Sequence, residues 1–280
     1  MYGITTIKVD GRPQVAFVIK GQVYKAKASD PSVLDPSQFF RDPFTNYERL
    51  AADEVVQDLS APLDPPDPYP SKIIGIGKNY AEHAREMRSE TRPVFFMKAP
   101  SALIGHRHHI EVPPVVAKPD YEGEVVIVIG KPVKLASREE AKSAIFGYMA
   151  GNDVTARDLQ YDEHLPWCLS KSVDTFSPTG PYINVVSDYS ELEGLCVETY
   201  LNGERVQRGC AADMTYDFAS IVQELSKYMK LLPGDLIFTG TPPGVGHPRG
   251  RYLLDGDVIE VKVTGLEALV NSVTRKGAVP

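Results

Sequence analysis

The chain has 280 residues, 42% of them hydrophobic and 24% charged, the usage of an ordinary globular protein, which excludes wholesale disorder. At roughly 150 residues per domain it is one large domain or a large one with a small companion, able to bury a core without disulfide staples. A formal net charge of −7 argues against a nucleic-acid binder, which would carry a basic face.

No segment approaches the ~18 apolar residues of a membrane span, so no membrane partner is expected. The first residues lack the basic and apolar regions of a secretory signal. Cys168, Cys196 and Cys210 are too few and too scattered for a disulfide framework, and none sits in a CxxC pair. They read as thiols of a reducing compartment, most simply the cytoplasm.

Residues 4–9, 14–19 and 22–26 are β-rich runs, separated by the turn signals Asp10-Gly11 and Lys20-Gly21. Residues from about 36 to 59 look helical in patches, with Pro43 as a break. Half of residues 61–70 are proline, so neither a helix nor a central strand can run through them. The segment is an ordered connector draped over the main domain or an exposed, semi-rigid linker. In either case it marks a boundary, giving a small N-terminal unit over residues 1–65 and a main domain over 66–280.

From Lys72 onward, residues 72–76 and 94–98 read as strands with a helix over 80–90 between them. Residues 122–129 form a strong strand pattern that ends at Gly130. Residues 137–146 read as a helix, with Glu139 and Glu140 in the first turn complementing its dipole. The longest helical pattern is 215–231, where Phe218, Ile221, Val222, Leu225 and Met229 recur at three-to-four spacing. Strands are predicted again at 235–238, 257–263 and 268–273.

Several of these segments carry chemistry. In Tyr121-Glu-Gly-Glu124 the two acids share a face of the strand, because side chains alternate. Like charges that close are costly unless neutralised. The pair is either solvated at a strand end or waiting for a cation. In Gly151-Asn-Asp-Val-Thr-Ala-Arg-Asp158, a helix starting near Asp153 would place Asp153, Arg157 and Gln160 on one face. Asp153 is then an N-cap or a third oxygen ligand beside Glu122 and Glu124. Three carboxylates without paired Cys or His ligands select a hard cation, Mg²⁺ or Mn²⁺, and Ca²⁺ also fits.

His83 and Glu86 are neighbours at i, i+3 on a helix, as a surface pair or as an imidazole made more basic by its carboxylate. Gly75 and Gly77 make no nucleotide fingerprint, and Thr239-Gly-Thr-Pro-Pro-Gly-Val-Gly246 lacks the Gly-Lys-Ser/Thr of a P-loop. Lys171 falls in a Pro/Gly/Ser-rich stretch that reads as a loop. His106, His108 and His109 do not read as a metal site, since adjacent His108 and His109 would face opposite sides of a strand.

Six motifs in order resemble the fumarylacetoacetate hydrolase family over residues ~72–277: Gly77-Lys-Asn-Tyr-Ala-Glu-His83, Phe95-Phe-Met-Lys98, Tyr121-Glu-Gly-Glu124, Gly151 to Asp158, Lys171-Ser172 with Asp174-Thr-Phe176, and Thr239 to Gly246. The resemblance implies a mixed, mainly β fold, a β-roll with peripheral helices beside a small N-terminal β-rich domain, and a homodimer. It implies a metal held by Glu122, Glu124 and Asp153. It implies a water-activating dyad of His83 and Glu86, with Lys171 also catalytic. Substrate contacts carry over to Arg157, Gln160, Lys98 and Thr241. The substrate is expected to be a small 2-oxo acid, and the reaction hydrolysis of a 3-acylpyruvate-type C–C bond. The family also holds oxaloacetate decarboxylases, ureidoglycolate lyases and isomerases of unsaturated 2-oxo diacids, so a lyase or isomerase on the same scaffold stays open. A non-catalytic binding member is disfavoured by the intact acids and dyad.

Overall fold

A computed structural model describes residues 2–89 and 92–275. The chain begins with three antiparallel strands, β1 (Gly3–Val9), β2 (Arg12–Ile19) and β3 (Gln22–Ala28). Asp10, Gly11, Lys20 and Gly21 all have positive φ, the backbone that two-residue hairpin turns require. Two short helices follow, α1 (Pro36–Phe39) and α2 (Pro43–Glu48), each capped by an Asp side chain that accepts a backbone N–H. Pro43 opens the second helix rather than breaking one, because the first turn needs no N–H from it. The expected helical patch does not reach Leu59. Strand β4 (Leu50–Asp58) pairs with β3 instead, and β-branched Val55 and Val56 favour that conformation.

The proline-rich segment is the ordered connector. Leu63, Pro66, Asp67 and Pro70 are buried, Leu63 N donates to His106 O (3.0 Å), and the Thr6 hydroxyl donates to Pro66 O (2.9 Å).

The remaining chain forms β5 (Ile73–Gly77), α3 (Ala81–Glu86), β6 (Val94–Lys98), β7 (Leu103–Ile104), β8 (His109–Val112), β9 (Pro119–Asp120) and β10 (Gly123–Ile129). Then come α4 (Arg138–Ser143), β11 (Ile145–Asn152), β12 (Thr155–Ala156), α5 (Arg157–Gln160), α6 (Trp167–Lys171) and β13 (Ser177–Val185). Helix α7 (Ser190–Glu193), β14 (Cys196–Leu201), β15 (Glu204–Cys210), α8 (Phe218–Tyr228), β16 (Leu236–Phe238), β17 (Val258–Val263) and β18 (Leu269–Arg275) complete it. Helix α3 is shorter than the predicted 80–90, and Glu90 lies outside the described residues. Helix α4 opens with a Ser137–Glu140 capping box and stops at Ser143, short of the predicted 146, because the chain turns at once into β11.

Among the described residues, a large sheet runs in the order β4-β3-β2-β1-β13-β11-β10-β16-β5-β6, with β7 beside β13. A second sheet runs β15-β14-β17-β18-β8. Strand β1 pairs with β13 through Gly3↔Asn184 and Ile4↔Ile183, so the N-terminal strands extend the main sheet. Strand β10 lies in the interior, which explains its unbroken apolar run. Val125, Ile127 and Ile129 pack with Val197, Ile259 and Val261 of the second sheet. Val126 and Val128 face the other way, toward Phe17, Phe39 and Phe146. Each such buried aliphatic side chain contributes roughly 1.5–3 kcal/mol. The mixed, mainly β architecture with peripheral helices is the one expected.

The cysteine reading is corrected. Cys196 and Cys210 face each other across the β14–β15 hairpin and form a disulfide, while Cys168 is free. Their 14-residue separation becomes direct opposition only because β15 folds back on β14.

Asp67 is buried, its Oδ1 accepts from Tyr69 N (2.9 Å) and its Oδ2 has no hydrogen-bond partner among the described residues. Burial first, then the nearby charge of Asp235, pushes its carboxyl up to about 8, despite the Tyr69 bond. The folded state therefore holds a proton that the unfolded chain releases near pH 4. Stability contributed by that proton is present at low pH and declines as pH rises toward about 8, by at most ~1.4 kcal/mol per pH unit. Asp67→Asn keeps the Tyr69 acceptor and should flatten this slope and raise the melting temperature at pH 8. Thermal unfolding of both proteins between pH 5 and 9 checks it; parallel pH profiles would contradict it.

Candidate active site

Glu124 lies near the start of β10 and Glu122 just before it, on the same face. Strand β11 pairs with β10 through Gly123↔Asn152 and Glu124↔Gly151, and Asp153 N donates to Glu122 O (2.8 Å). Strand pairing therefore delivers the third acid. Of the two readings of Asp153 the N-cap does not hold: helix α5 starts at Arg157, four residues later, with Ala156 at its N-cap position. At Gly151 a Cβ would run into Val126 and Phe238, so only glycine lets the strand pass there. One carboxylate oxygen from each of Glu122, Glu124 and Asp153 lies within 4.8 Å of the others, and all three residues are buried.

Three buried cations face these acids. Lys171 is the last residue of α6 rather than part of a loop, and its Nζ donates to Glu122 Oε2 and Asp153 Oδ2, both at 2.6 Å. Lys98 donates to Asp153 Oδ1 and to Phe176 O (3.2 Å). Arg157 donates from Nη2 to Glu122 (2.6 Å), from Nε to Asp120 (2.9 Å) and from Nη1 to Gln160 Oε1 (2.8 Å).

Burial alone would favour neutral Glu122, but Lys171 and Arg157 outweigh it and hold its carboxyl well below the usual range. Glu124 is the opposite case. Burial, then the charges of Asp153 and Glu122, push it well above the usual range, and the Gly240 N–H it accepts (2.7 Å) does not compensate. Burial likewise lowers Lys98, against the pull of Asp153, whereas Asp153 and Glu122 overcome burial at Lys171 and raise it.

The triad fits a divalent cation. Its donors are all hard oxygens, and Asp120, Glu122, Glu124 and Asp153 outnumber Lys98, Arg157 and Lys171 by one charge. The histidines at 106–109 do not converge: His106 Nε2 donates to Leu59 O (2.9 Å) and its Nδ1 accepts from Val270 N (3.2 Å).

A cavity of about 230 Å³ opens beside Glu122. Ile76, Met87 and Trp167 form apolar wall; His83, Arg157, Gln160, Lys171 and Thr241 also line it, as do Lys78 and Tyr161. His83 Nδ1 is 3.6 Å from Glu86 Oε2, and has no hydrogen-bond partner among the described residues. Glu86 accepts from Gly244 N (2.9 Å). Burial opposes its ionisation, but His83 and the Gly244 amide prevail and hold its carboxyl below the usual value. The Thr241 hydroxyl donates to Gly123 O (3.0 Å) and accepts from Gln207 Nε2 (2.8 Å). Lys98, expected to contact substrate, does not line the cavity. It is fully buried behind Asp153 and holds that carboxylate.

Three supporting residues escaped the sequence reading. Asp120 fixes Arg157 and accepts from Gly246 N (2.8 Å) and His247 N (3.1 Å). Asn79 ties its loop to Tyr216 and Thr239. Gln207 accepts from Gly123 N (3.0 Å) and donates to Thr241 and Pro242. Asp120 and Asn79 adjoin or lie within motifs and were findable. Gln207 reaches the site from a strand more than 80 residues away and left no local mark.

The family model for the fumarylacetoacetate (FAA) hydrolase C-terminal domain matches residues 72–274. An oxaloacetate tautomerase of Bacillus subtilis, YisK, is 43% identical over 222 residues, covering 75% of this chain and 72% of that protein. The structure of a fumarylacetoacetate hydrolase from Exiguobacterium antarcticum superposes with a TM-score of 0.81 at 34% identity, over 99% of this chain and 100% of that one. A fumarylpyruvate hydrolase from Pseudomonas aeruginosa, solved in complex with Mn²⁺ and pyruvate, gives 0.69 at 28% identity, over 81% and 94% of the chains. The chain belongs to the fumarylacetoacetate hydrolase family, whose members are enzymes.

Glu124→Gln should weaken Mn²⁺ binding, measured by calorimetry, by more than the roughly 10–100-fold that loss of an outer-shell partner costs. It should also raise the melting temperature of the metal-free protein, since it removes the acid least compensated by cations. Unchanged Mn²⁺ affinity would remove Glu124 from the ligand set.

Proposed function

We propose that this family member is a divalent-metal-dependent hydrolase cleaving a C–C bond in a 3-acylpyruvate-type 2-oxo acid. The observation that carries the reading is convergence: Glu122 of the all-oxygen triad, the cations Arg157 and Lys171, and His83, whose carboxylate partner is Glu86, line one cavity, with Glu124 and Asp153 grouped beside Glu122. Held by Glu122, Glu124 and Asp153, Mg²⁺ or Mn²⁺ would polarise the carboxylate and keto oxygens of a chelating 2-oxo acid.

The chain's own residues supply the remaining chemistry. Arg157 and Gln160, joined at 2.8 Å, hold the substrate carboxylate. His83, oriented by Glu86, takes a proton from water as that water adds to the distal carbonyl carbon. Lys171 faces the keto oxygen with its ammonium and stabilises charge developing there. The C–C bond then breaks, its electron pair leaves with the 2-oxo fragment, and the proton held by His83 returns to that carbon. The products are a carboxylic acid and pyruvate.

A second reading is supported by the B. subtilis relative described as an oxaloacetate tautomerase. Without attack by water the same site would enolise or decarboxylate its substrate.

His83→Ala should lower turnover on an acylpyruvate by roughly 10²–10⁴-fold while leaving metal affinity nearly unchanged. Glu86→Ala should act in the same direction but more mildly. EDTA should abolish activity, and Mg²⁺ or Mn²⁺ restore it. Steady-state kinetics beside metal titration checks all three. Wild-type turnover in His83→Ala would replace hydrolysis with the enolising or decarboxylating reading.

A further inference from the structure

Lys78 lines the same cavity, yet the reaction described above does not use it. Its backbone lies in the left-handed region, φ 64°, which a side chain other than glycine rarely adopts. The neighbouring residue holds it there. Asn79 is fully buried, donates to Tyr216 O (3.0 Å) and Thr239 O (2.8 Å), and accepts from Tyr216 N (2.8 Å), while its own carbonyl accepts from Thr215 N (2.7 Å). Four hydrogen bonds thus fix the loop between β5 and α3, with Lys78 on the cavity wall.

Lys78 differs from the other cations there in what it touches. Arg157 is engaged by Asp120, Glu122 and Gln160, and Lys171 by Glu122 and Asp153. Lys78 has no ion pair or side-chain hydrogen bond among the described residues. Next to it, Gly77 packs against the Trp167 ring, and Ile76, Met87 and Trp167 form the apolar part of the wall that Lys78 shares. A lysine on a fixed loop in the wall of a half-apolar cavity, without a carboxylate of its own, is available to receive one from a ligand.

We propose that Lys78 is a specificity-determining residue: it binds a second anionic group on the substrate, remote from the 2-oxo carboxylate, and so selects 2-oxo dicarboxylates over neutral-ended 2-oxo acids of the same length. The inference rests on reading the cavity as a 2-oxo acid site, but not on which reaction follows.

The test uses two unreactive probes of equal length, 2-oxoglutarate and 2-oxopentanoate, titrated calorimetrically into the Mg²⁺-loaded protein. Wild type should bind the diacid more tightly by roughly tenfold to hundredfold, as a charge-assisted hydrogen bond provides. Lys78→Met and Lys78→Gln should lose that preference by weakening the diacid without weakening the monoacid, and Lys78→Arg should retain it. Equal loss of both ligands in Lys78→Met would show that Lys78 only shapes the loop, and would overturn the proposal. So would a preference that survives in Lys78→Met, or a wild type that does not discriminate. If neither probe binds wild type, the 2-oxo acid reading itself fails. If the preference behaves as proposed while acylpyruvates are not cleaved, only the hydrolase reading falls.

Discussion

Three carboxylates held within 4.8 Å of one another in a buried site repel, and the charges around them are organised by that repulsion. Lys98, Lys171 and Arg157 each donate to these acids or to Asp120, with one further bond from Lys98 to Phe176 O and one from Arg157 to Gln160, and all three are buried. Glu122 and Asp153 receive cations. Glu124 receives one backbone N–H, and its ionisation is opposed by both of its fellow acids. Removing Arg157 would leave buried Asp120 without a cation, and removing Lys98 or Lys171 would leave Asp153 with one lysine instead of two. A divalent ion placed among the three oxygens answers the same imbalance from the other side.

The scaffold exists to make that proximity unavoidable. Strand β10 is buried on both faces, so its register with β11 and β16 is fixed by apolar packing, and the position of Glu124 with it. Asp153 arrives because β11 ends opposite the start of β10. The second sheet closes one side, and Gln207 on β15 bolts it to the Gly123 backbone and to Thr241. Helix α3 hangs His83 over the cavity from the end of β5, two strands away from the acids.

Much of this was legible in the sequence. Period-two spacing put Glu122 and Glu124 on one face, and the family resemblance, not the residue types alone, decided between solvated acids and a cation site. The hairpins of the N-terminal segment were marked by their turn residues. Strand β11 was not legible, because residues 145–152 are buried on both faces and lack the alternation that distinguishes strand from helix. Asp153 was assigned to a helix for the same reason: its true neighbour is a strand partner some thirty residues back. The Cys196–Cys210 bridge and the role of Lys98 depend on which segments fold together, which local pattern does not record. Lys98 looked like a substrate contact in its motif; only the packing shows it behind Asp153.

The central claim is that the three acids form one metal site. Crystals grown with Mn²⁺ and measured near the manganese absorption edge test it most directly. The account predicts a single strong anomalous peak within bonding distance of one oxygen each from Glu122, Glu124 and Asp153. A map with no peak there, or with manganese bound elsewhere while the triad keeps only its lysines, would contradict it.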